Sequence, residues 1–360
     1  MSPTDPAGLK LEPLLQWMSL NISGVDSSAA LQPTLLAGGR SNISYKLTDA
    51  SGSSWVLRRP PLGHIMPSAH DMEREFRVLS GLNSVSFPTP KAQGFCADED
   101  VIGSKFMLMD FVAGRVIESA ETAMTLSEAQ ASEISQNLVD TLAQLHSVDP
   151  IAAGLDQLGR PQGYLQRQVK RWGEQWQLTK TRELPEIEKL QAWLEVAIPK
   201  VPTTLPSAIV HGDYRIDNVI LDPKTSEIIA VLDWEMSTLG DPISDLAISL
   251  VYWSQAGDTL RNQIPVAQEV TSGPGFWTRE QVVQRYVSQT GYDISHLDEC
   301  IALACFKLAV IMESIHHRNL SGKQLGAAAG EQSTMGQATV ALTKLGLAVI
   351  SMGAIPALNS

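Results

Sequence analysis

One segment in the second half of the chain, residues 209–247, constrains the fold most, because polar side chains flank two short apolar runs there. The two runs, which give this half its strongest β character, are Val219–Leu221 and Ile228–Leu232. Pro and Ser between them are typical of a turn, so the runs are predicted to pair as an antiparallel hairpin. Asn218 enters that hairpin, Asp233 leaves it, and Asp213 lies on the loop that leads to the same end. The pattern therefore predicts three oxygen-bearing side chains at one hairpin mouth.

These three side chains have the chemistry of a magnesium site with a neighbouring base. A carboxylate and an amide oxygen suit Mg²⁺, which prefers hard oxygen ligands and takes few of them from protein. A further carboxylate beside the metal can accept a proton from a substrate hydroxyl. Asp, Asn and Gly also favour turns for conformational reasons of their own, so the alternative is that these are ordinary turn residues.

The remainder of the chain indicates an α+β protein with two lobes, a small β-rich lobe over residues 1–112 and a larger helical lobe over residues 113–360. The elements predicted for the first lobe are the strands Ser44–Leu47, Trp55–Arg58 and Phe106–Val112 and the helix Ser68–Leu82. The helices predicted for the second lobe are Ser127–His146, Leu165–Gln177, Glu186–Ala197, Asp245–Trp253, Arg279–Thr290, Leu297–His317 and one near Thr334–Ser351. Because ligands commonly bind between lobes, a cleft is expected there.

Two of these helices begin with a capping pattern. Ser68 precedes Asp71 by three residues, and Ser127 precedes Gln130 by the same spacing. A Ser followed at this spacing by an acidic or amide side chain is typical of a helix N-terminus, where the two side chains bind free backbone N–H groups.

Composition narrows the class of function. Asp and Glu number 39 against 27 Lys and Arg, a net charge of −12, which argues against a nucleic-acid partner. The cysteines Cys96, Cys300 and Cys305 are too few and scattered for a disulfide framework or a zinc site, and are predicted to be reduced core thiols of a cytoplasmic protein. The apolar stretches Ile301–Met312 and Val340–Leu358 each contain a lysine and are predicted to be buried helices, so no membrane partner is expected. The N-terminus shows no signal-peptide pattern.

The H-G-D-x-x-x-x-N pattern followed by an Asp at the strand exit resembles the active site of aminoglycoside phosphotransferases and the wider protein-kinase-like fold. The continuation L-D-W-E-M-S-T-L-G-D-P-I-S-D-L-A is similar to the phosphotransferase domain that is fused to acyl-CoA dehydrogenases in animals. The resemblance extends from about Leu35 to about His317. It implies a bilobal protein-kinase-like fold and Mg²⁺-dependent transfer of the ATP γ-phosphate to a hydroxyl of a small molecule.

The same resemblance implies roles for individual residues. Asp213 corresponds to the catalytic base, and Asn218 and Asp233 correspond to the Mg²⁺ ligands. His211 corresponds to a residue that braces the loop.

Two further acidic residues, Asp241 and Asp245, are expected outside the chemistry. By the same resemblance they are expected to hold the loop after Asp233, the implied metal ligand, and to cap the helix that follows.

The first lobe is expected to bind the nucleotide. The phosphate-binding loop is predicted to contain Gly38, Gly39, Ser41 and Asn42. Backbone N–H groups of such a loop can bind phosphate oxygens, although Gly-Gly alone is equally typical of a simple turn. The loop lacks the full G-x-G-x-x-G pattern of protein kinases.

In protein kinases a strand Lys paired with a helix Glu holds the nucleotide phosphates. Arg58 occupies the matching place here, and an Arg binds phosphate bidentately. Its expected partner is Glu75, with Glu73 as the competing choice, and the alternative is a solvated Arg at a strand end.

The connector between the lobes is expected to bind adenine through backbone groups. The residues concerned are Met109, Asp110 and Val112, with Met107 or Met109 near the ring. Apolar residues at these positions are equally expected from core packing.

The acceptor is the least constrained part of the prediction. The segment Tyr164–Trp176 carries Arg167 and Arg171 on one helical face, together with Lys170 and two tryptophans. It is either an anion-binding surface for a substrate such as a CoA thioester or a solvated face with the tryptophans packed inward. In the predicted helix Leu297–His317, Glu313 and His317 are four residues apart and are a further candidate, as a pair of metal ligands.

Three functions remain open on this sequence. The preferred acceptor is a hydroxyacyl-CoA, the second is an aminoglycoside-type antibiotic, and the third option is a nucleotide-binding pseudokinase module without catalysis. The expected partner is a small-molecule hydroxyl substrate, and the oligomeric state is left open, with a homodimer as one option.

Overall fold

The computed structural model describes residues 5–36, 42–62, 71–202, 207–266, 268–320 and 331–359. The chain divides into two compact units. The first comprises Met1–Gly114 with the short segments Ala152–Leu155 and Ile229–Glu235, and the second comprises Arg115–Ile151, Asp156–Ile228 and Met236–Ser360. The assignment of nucleotide binding to residues 1–112 and of catalysis to residues 113–360 stays a prediction.

The first unit is built on a five-stranded sheet with the strand order β1-β2-β3-β5-β4. Its strands are β1 (Gln32–Leu35), β2 (Ile43–Thr48), β3 (Ser54–Arg59), β4 (Ala92–Cys96) and β5 (Phe106–Asp110), all antiparallel to their neighbours. Its helices are α1 (Leu11–Asn21) and α2 (Met72–Ser84). The α1 helix buries Leu11, Leu14 and Met18 in the core of this unit, a spacing of three and four residues that places them on one helical face.

The strands β2 and β3 each extend one residue further at both ends than predicted, and larger differences occur at α2 and β5. The α2 helix begins at Met72, with the Asp71 carboxylate accepting a hydrogen bond from the Arg74 backbone N–H at 3.0 Å, whereas Ser68 lies outside the described residues. Asp71 is thus the N-cap. The β5 strand ends at Asp110 and not at Val112, because its last pair with β3 joins Asp110 to Trp55 and β3 begins one residue earlier.

The second unit is mainly helical. Its helices are α3 (Ala120–Ala123), α4 (Glu128–Ser147), α5 (Tyr164–Thr179), α6 (Pro185–Ala197), α7 (Pro242–Tyr252), α8 (Arg279–Thr290), α9 (Leu297–Leu320), α10 (Glu331–Met352) and α11 (Ala354–Leu358). The capping box predicted for α4 is confirmed, because the Ser127 hydroxyl accepts from the Gln130 N–H and the Gln130 side chain accepts from the Ser127 N–H. The α7 helix starts three residues before its predicted start, with Asp241 as its N-cap.

Short strands lie between these helices in and beside residues 209–247. The strands β6 (Ala208–Val210) and β9 (Thr238–Gly240) pair antiparallel, and β7 (Val219–Leu221) and β8 (Ile228–Val231) form a second two-stranded sheet. The predicted hairpin therefore exists. Its turn is closed by a 2.9 Å hydrogen bond from the Asp222 N–H to the Glu227 carbonyl.

Two helices have the length and apolar composition of a membrane span, α9 and the part of α10 from Thr334 onward. In the most apolar 18-residue stretch of each helix, 72% of the residues are buried in α9 and 56% in α10. Burial on this scale is what core helices of a packed domain show, and Cys300, Cys305 and Phe306 of α9 are among the buried side chains.

Candidate active site

The predicted catalytic loop leaves β6 with a tight backbone turn at Gly212. Its φ of +84° is a left-handed conformation that favours glycine. A Cβ atom at this position would lie 2.8 Å from the carbonyl oxygen of Met236. The glycine of the H-G-D pattern is therefore required both by the backbone conformation and by the neighbouring chain.

Asp245 of α7 binds the backbone of this loop through its carboxylate. Its carboxylate accepts hydrogen bonds from the backbone N–H groups of His211 at 2.5 Å and Gly212 at 2.7 Å, and lies 3.3 Å from Nε2 of His146. Burial would raise the pKa of Asp245, but the hydrogen bond and charge of His146, the charge of His211 and the Gly212 N–H outweigh it and lower that pKa. Asp245 thus stabilises the backbone just before Asp213, whereas it was predicted to hold the loop after Asp233.

Asp241, the other acidic residue expected to be structural, caps α7 as predicted. One oxygen accepts from the Ile243 N–H at 2.9 Å and the other lies 2.8 Å from Nε2 of His296. Asp241, His296 and Cys300 form a buried group whose ligand-type atoms lie within 4.8 Å of one another. Because both Asp241 oxygens are engaged in the cap and in the His296 contact, we assign this group to fixing the start of α7.

The carboxylate of Asp213 is held by three side chains. Tyr252 donates its hydroxyl to Oδ1 at 2.7 Å, while Nε of Arg215 and Nδ2 of Asn218 both donate to Oδ2 at 3.2 Å. The Asp213 side chain nevertheless keeps 18% of its surface exposed. Both oxygens of the predicted base are therefore oriented by the protein while the group stays accessible.

Tyr252, Arg215 and Asp217 are the residues of this network that the sequence analysis missed. Arg215 also forms an ion pair with Asp217 and stacks on the Tyr252 ring, with its guanidinium carbon 5.4 Å from the ring centre. Burial, and then the negative charge of Asp213, raise the pKa of Tyr252 well above its ordinary value, so that its hydroxyl remains a donor. A usable signal was present, because Asp245 and Tyr252 are separated by two helical turns and share one face of α7.

In the first unit, Arg58 lies between two carboxylates. Its Nε is 3.2 Å from Oε1 of Glu75 and its Nη2 is 3.0 Å from Oδ1 of Asp233. Of the two candidate partners, the structure places Glu75 against Arg58, while Glu73 is exposed. Burial raises the pKa of Glu75 to about 7; the charge of Arg58 opposes that rise and the charge of Asp233 adds to it.

Asp233 itself has a strained backbone. Its φ is +67°, a conformation that non-glycine residues rarely adopt and that clusters at functional positions. One carboxylate oxygen is bound by Arg58, and 29% of the side chain is exposed.

The predicted phosphate-binding loop is described only at Asn42. Gly38, Gly39 and Ser41 lie outside the described residues. Asn42 is buried and donates from Nδ2 to Oε2 of Glu235 at 3.0 Å, a contact that the sequence analysis did not foresee. This contact fixes the end of the predicted loop to the segment that carries Asp233.

The predicted adenine-binding connector is partly committed to the sheet. The N–H groups of Asp110 and Phe111 donate to the carbonyls of Lys91 at 2.9 Å and Ser54 at 3.4 Å. The Asp110 carboxylate accepts from the Gln93 amide at 2.5 Å, and the side chains of Met107 and Met109 are buried. Val112, beyond the end of β5, is partly exposed. The N–H groups of Asp110 and Phe111 are already bonded, so an adenine contact would use backbone groups that follow them in the chain.

In the basic and aromatic segment Tyr164–Trp176 of α5, the tryptophans pack inward, as the second of the two interpretations predicted. Trp172 and Trp176 are buried, and Arg167 donates to the carbonyls of Arg160 and Gln162. Lys170 lies 3.9 Å from Glu174, one helical turn away. The segment does not present an aromatic surface.

The suggested pair of Glu313 and His317 does not match the carboxylate's contacts. Glu313 accepts from the hydroxyl of Thr181 at 2.6 Å and from Arg182 at 3.2 Å. Its two oxygens are thus engaged in anchoring the loop between α5 and α6.

The oxygen donors predicted to bind Mg²⁺ have suitable chemistry. Because Nδ2 of Asn218 donates to the Asp213 backbone carbonyl at 2.9 Å and to its carboxylate, the amide oxygen of Asn218 faces away from Asp213. Asp233 binds Arg58 through Oδ1, and its side chain is partly exposed. An amide oxygen and a carboxylate oxygen are hard ligands of the kind Mg²⁺ takes from proteins. Asp213 and Asn218 belong to the second unit and Asp233 to the first, and the meeting of the three at one ion stays a prediction.

Comparison with known proteins decides the family. The sequence profile of the phosphotransferase enzyme family matches residues 33–278. The chain belongs to the phosphotransferase enzyme family. Over 302 residues it is 37% identical to acyl-CoA dehydrogenase family member 11 of Rattus norvegicus, a match that covers 83% of this chain and 38% of that protein. The chain thus spans about two-fifths of the length of this relative.

Solved structures of phosphotransferases share the fold. A putative aminoglycoside phosphotransferase from Ralstonia eutropha is 30% identical, with a TM-score of 0.74 over 92% of this chain and 98% of that chain. A spectinomycin phosphotransferase in complex with ADP and spectinomycin is 13% identical, with a TM-score of 0.59 over 96% of this chain and 99% of its own. These similarities confirm the expected protein-kinase-like phosphotransferase fold, with a β-sheet N-terminal part and a helical C-terminal part.

Proposed function

We propose that this phosphotransferase moves the γ-phosphoryl group of ATP to a hydroxyl of a small molecule. The observation that carries the proposal is the carboxylate of Asp213, which Tyr252, Arg215 and Asn218 orient through both oxygens while it stays partly exposed. A general base needs this combination, because it must be aimed at the hydroxyl that it deprotonates and must remain reachable by it.

In the proposed reaction Asp213 accepts the proton of the acceptor hydroxyl. The hydroxyl oxygen forms a bond to the γ-phosphorus as the bond between that phosphorus and the bridging oxygen of ADP breaks. Tyr252 and Arg215 keep the carboxylate oriented during this step. Since phosphoryl transfer has a loose transition state, most of the rate is expected from positioning and charge neutralisation.

Nucleotide and metal are assigned to the residues that the sequence analysis named. Arg58, anchored by Glu75, would contact the phosphates, and the predicted loop of Gly38, Gly39, Ser41 and Asn42 would bind them as well. Asn218 and Asp233 would hold Mg²⁺. When bound, the ion neutralises charge on the phosphates. Use of ATP is supported by the family and by the ADP present in the spectinomycin phosphotransferase structure.

For the acceptor we propose a hydroxylated acyl-CoA thioester. The support is the 37% identity over 83% of this chain to a protein named as an acyl-CoA dehydrogenase family member. An aminoglycoside is the second candidate, supported by the 30% identical putative aminoglycoside phosphotransferase and by the net charge of −12, which would attract a polycation. The two candidates differ in charge and are therefore simple to separate.

The test is incubation with Mg·ATP and two acceptor panels, 3- and 4-hydroxyacyl-CoAs and kanamycin-type sugars, with mass spectrometry reporting the added phosphoryl group. Transfer to the thioesters alone supports the first candidate, and transfer to the sugars alone replaces it with the second. Asp213→Asn should reduce the rate with the accepted panel by about 10²- to 10⁴-fold. Nucleotide binding without transfer to either panel would favour the pseudokinase alternative.

We also propose that the protein acts in the cytoplasm on a small molecule, without a nucleic-acid or membrane partner. The support is the net charge of −12 and the three cysteines, which are free and buried in the structure. Cell fractionation with an antibody to the protein would test the location.

A further inference from the structure

We propose that Lys307 is a positioning residue for the catalytic loop, acting on Asp213 through the carbonyl of Gly212. This inference deepens the proposed function and rests on it, since it takes Asp213 as the base. The carrying contact is a 2.6 Å hydrogen bond from Nζ of Lys307, on α9, to the Gly212 backbone carbonyl. The two residues are 95 positions apart in the chain.

The contact completes a set of bonds to three successive peptide groups. Asp245 accepts from the N–H of His211 and from the N–H of Gly212, which fixes the first two peptide planes. The third plane joins Gly212 to Asp213. Lys307 binds its carbonyl, and Nδ1 of His211 accepts from its N–H at 3.2 Å. The plane that carries the backbone nitrogen of Asp213 is therefore held at both of its polar ends.

The third plane matters most for the base, because its rotation turns the Cα–Cβ bond of Asp213. Gly212 adopts a φ of +84° and has no side chain to restrict that rotation. A charged donor forms a stronger hydrogen bond to a carbonyl than a neutral one. Lys307 thus supplies rigidity at the one residue of the loop whose own backbone is the most permissive.

The surroundings of Lys307 indicate a dedicated role. The residues around it on α9 are buried, whereas Lys307 is partly buried and lies 5.9 Å from the ring centre of Trp172. The charged groups that act on it are Asp213, Asp245 and Arg171. Burial lowers the pKa of Lys307, the two carboxylates oppose that effect, and Arg171 adds to it. Burial disfavours the charged form of Lys307, and its ammonium group binds the Gly212 carbonyl. A role in positioning the loop explains such a lysine better than a role in solubility.

The test compares Lys307→Met and Lys307→Arg with Lys344→Met, which makes the same change at an exposed lysine of α10. We expect Lys307→Met to lower kcat for transfer to 3-hydroxybutyryl-CoA, or to kanamycin if the panel selects it, on the order of tenfold to hundredfold. The affinity for ADP, measured by calorimetry, should stay within about twofold of the parent, because the contact is to the base loop and not to the nucleotide. Lys307→Arg should recover most of the lost kcat, since it retains a charged donor.

Amide hydrogen exchange supplies a readout that does not depend on catalysis. In Lys307→Met the peptide covering residues 208–218 should exchange faster than in the parent, and in Lys344→Met it should not. A parental kcat, or unchanged exchange of this peptide in a folded Lys307→Met protein, would overturn the inference. If that variant does not fold, Lys307→Gln, which keeps a neutral donor, is measured in its place under the same criteria. Absence of transfer by the parent to every acceptor would instead count against the proposed function, while faster exchange in the variant would still support the loop contact.

Discussion

Tyr252 donates a 2.7 Å hydrogen bond to Oδ1 of Asp213, although the two residues are 39 positions apart in the chain. On the same face of α7, Ser249 donates to the Tyr214 carbonyl at 2.8 Å and Asp245 accepts from the His211 N–H. One face of α7 therefore binds the predicted catalytic loop at three points. The loop owes its shape to α7 as much as to its own sequence.

Removal of the Tyr252 hydroxyl should weaken catalysis more than folding. Tyr252→Phe keeps the ring on which Arg215 stacks but frees Oδ1 of Asp213. Because hydrogen bonds to charged groups are stronger than neutral ones, we expect kcat to fall by about 10-fold to 100-fold. The matched control is Tyr45→Phe, whose hydroxyl binds the Ala7 carbonyl in the first unit. Equal rates for the two variants would contradict the role given to Tyr252.

Asp233→Ala should abolish Mg·ATP-dependent turnover. It removes the carboxylate that we assign to the metal and that binds Arg58 at 3.0 Å. Steady-state rates across a Mg²⁺ titration measure the effect, and Glu227→Ala, at an exposed residue of the hairpin turn, is the control. If a folded Asp233→Ala protein transfers phosphate at the parental rate, the metal assignment is wrong.

The Glu75 carboxyl should make stability fall as pH rises. Its pKa is raised to about 7 in the folded protein, whereas an unfolded Glu titrates at about 4.3. Between these values the folded state binds more protons than the unfolded state, so the free energy of unfolding decreases with increasing pH. The contribution of this group is complete below about pH 4 and is lost as the pH passes 7.

Denaturant unfolding of the parent and of Glu75→Gln at a series of pH values from about 4 to 8 measures that slope. The glutamine side chain of this variant cannot be ionised, so the difference in unfolding free energy between the two proteins should change across this range. Glu73→Gln, at the exposed neighbour, should leave the slope as in the parent. A parental slope in the Glu75 variant would show that another group titrates.

Two glycine variants separate backbone strain from steric conflict. Gly212→Ala meets both, because φ is +84° and the added Cβ would lie 2.8 Å from the Met236 carbonyl oxygen. Gly257→Ala has a φ of +93° but no heavy atom within 4 Å of the added Cβ. We expect a loss of about 1 kcal/mol in unfolding free energy at Gly257 and about 3 kcal/mol at Gly212. Similar losses at the two positions would remove the steric part of the argument.

The sequence by itself determined the family, the β7–β8 hairpin and the proximity of Asp213 to Asn218, but not the equally local ion pairs of Arg215 with Asp213 and Asp217. Asp213 and Asn218 are five residues apart, and their hydrogen bond follows from a single tight loop. The capping box of α4 is similarly local, because its two partners are three residues apart. Such contacts can be predicted because the backbone geometry over a few residues is limited to a small set of conformations.

Only the tertiary structure decided which distant groups act on that segment. Three contacts depend on how α7 and α9 pack against the loop: the Tyr252 hydrogen bond to Asp213, the Lys307 contact to Gly212 and the Asp245 contact to His211. The choice between a surface and a core position for Trp172 and Trp176 was equally a matter of packing. Helical periodicity indicates which face of a helix is buried. The residues that pack against that face depend on side-chain packing across the whole unit, which no local sequence pattern encodes.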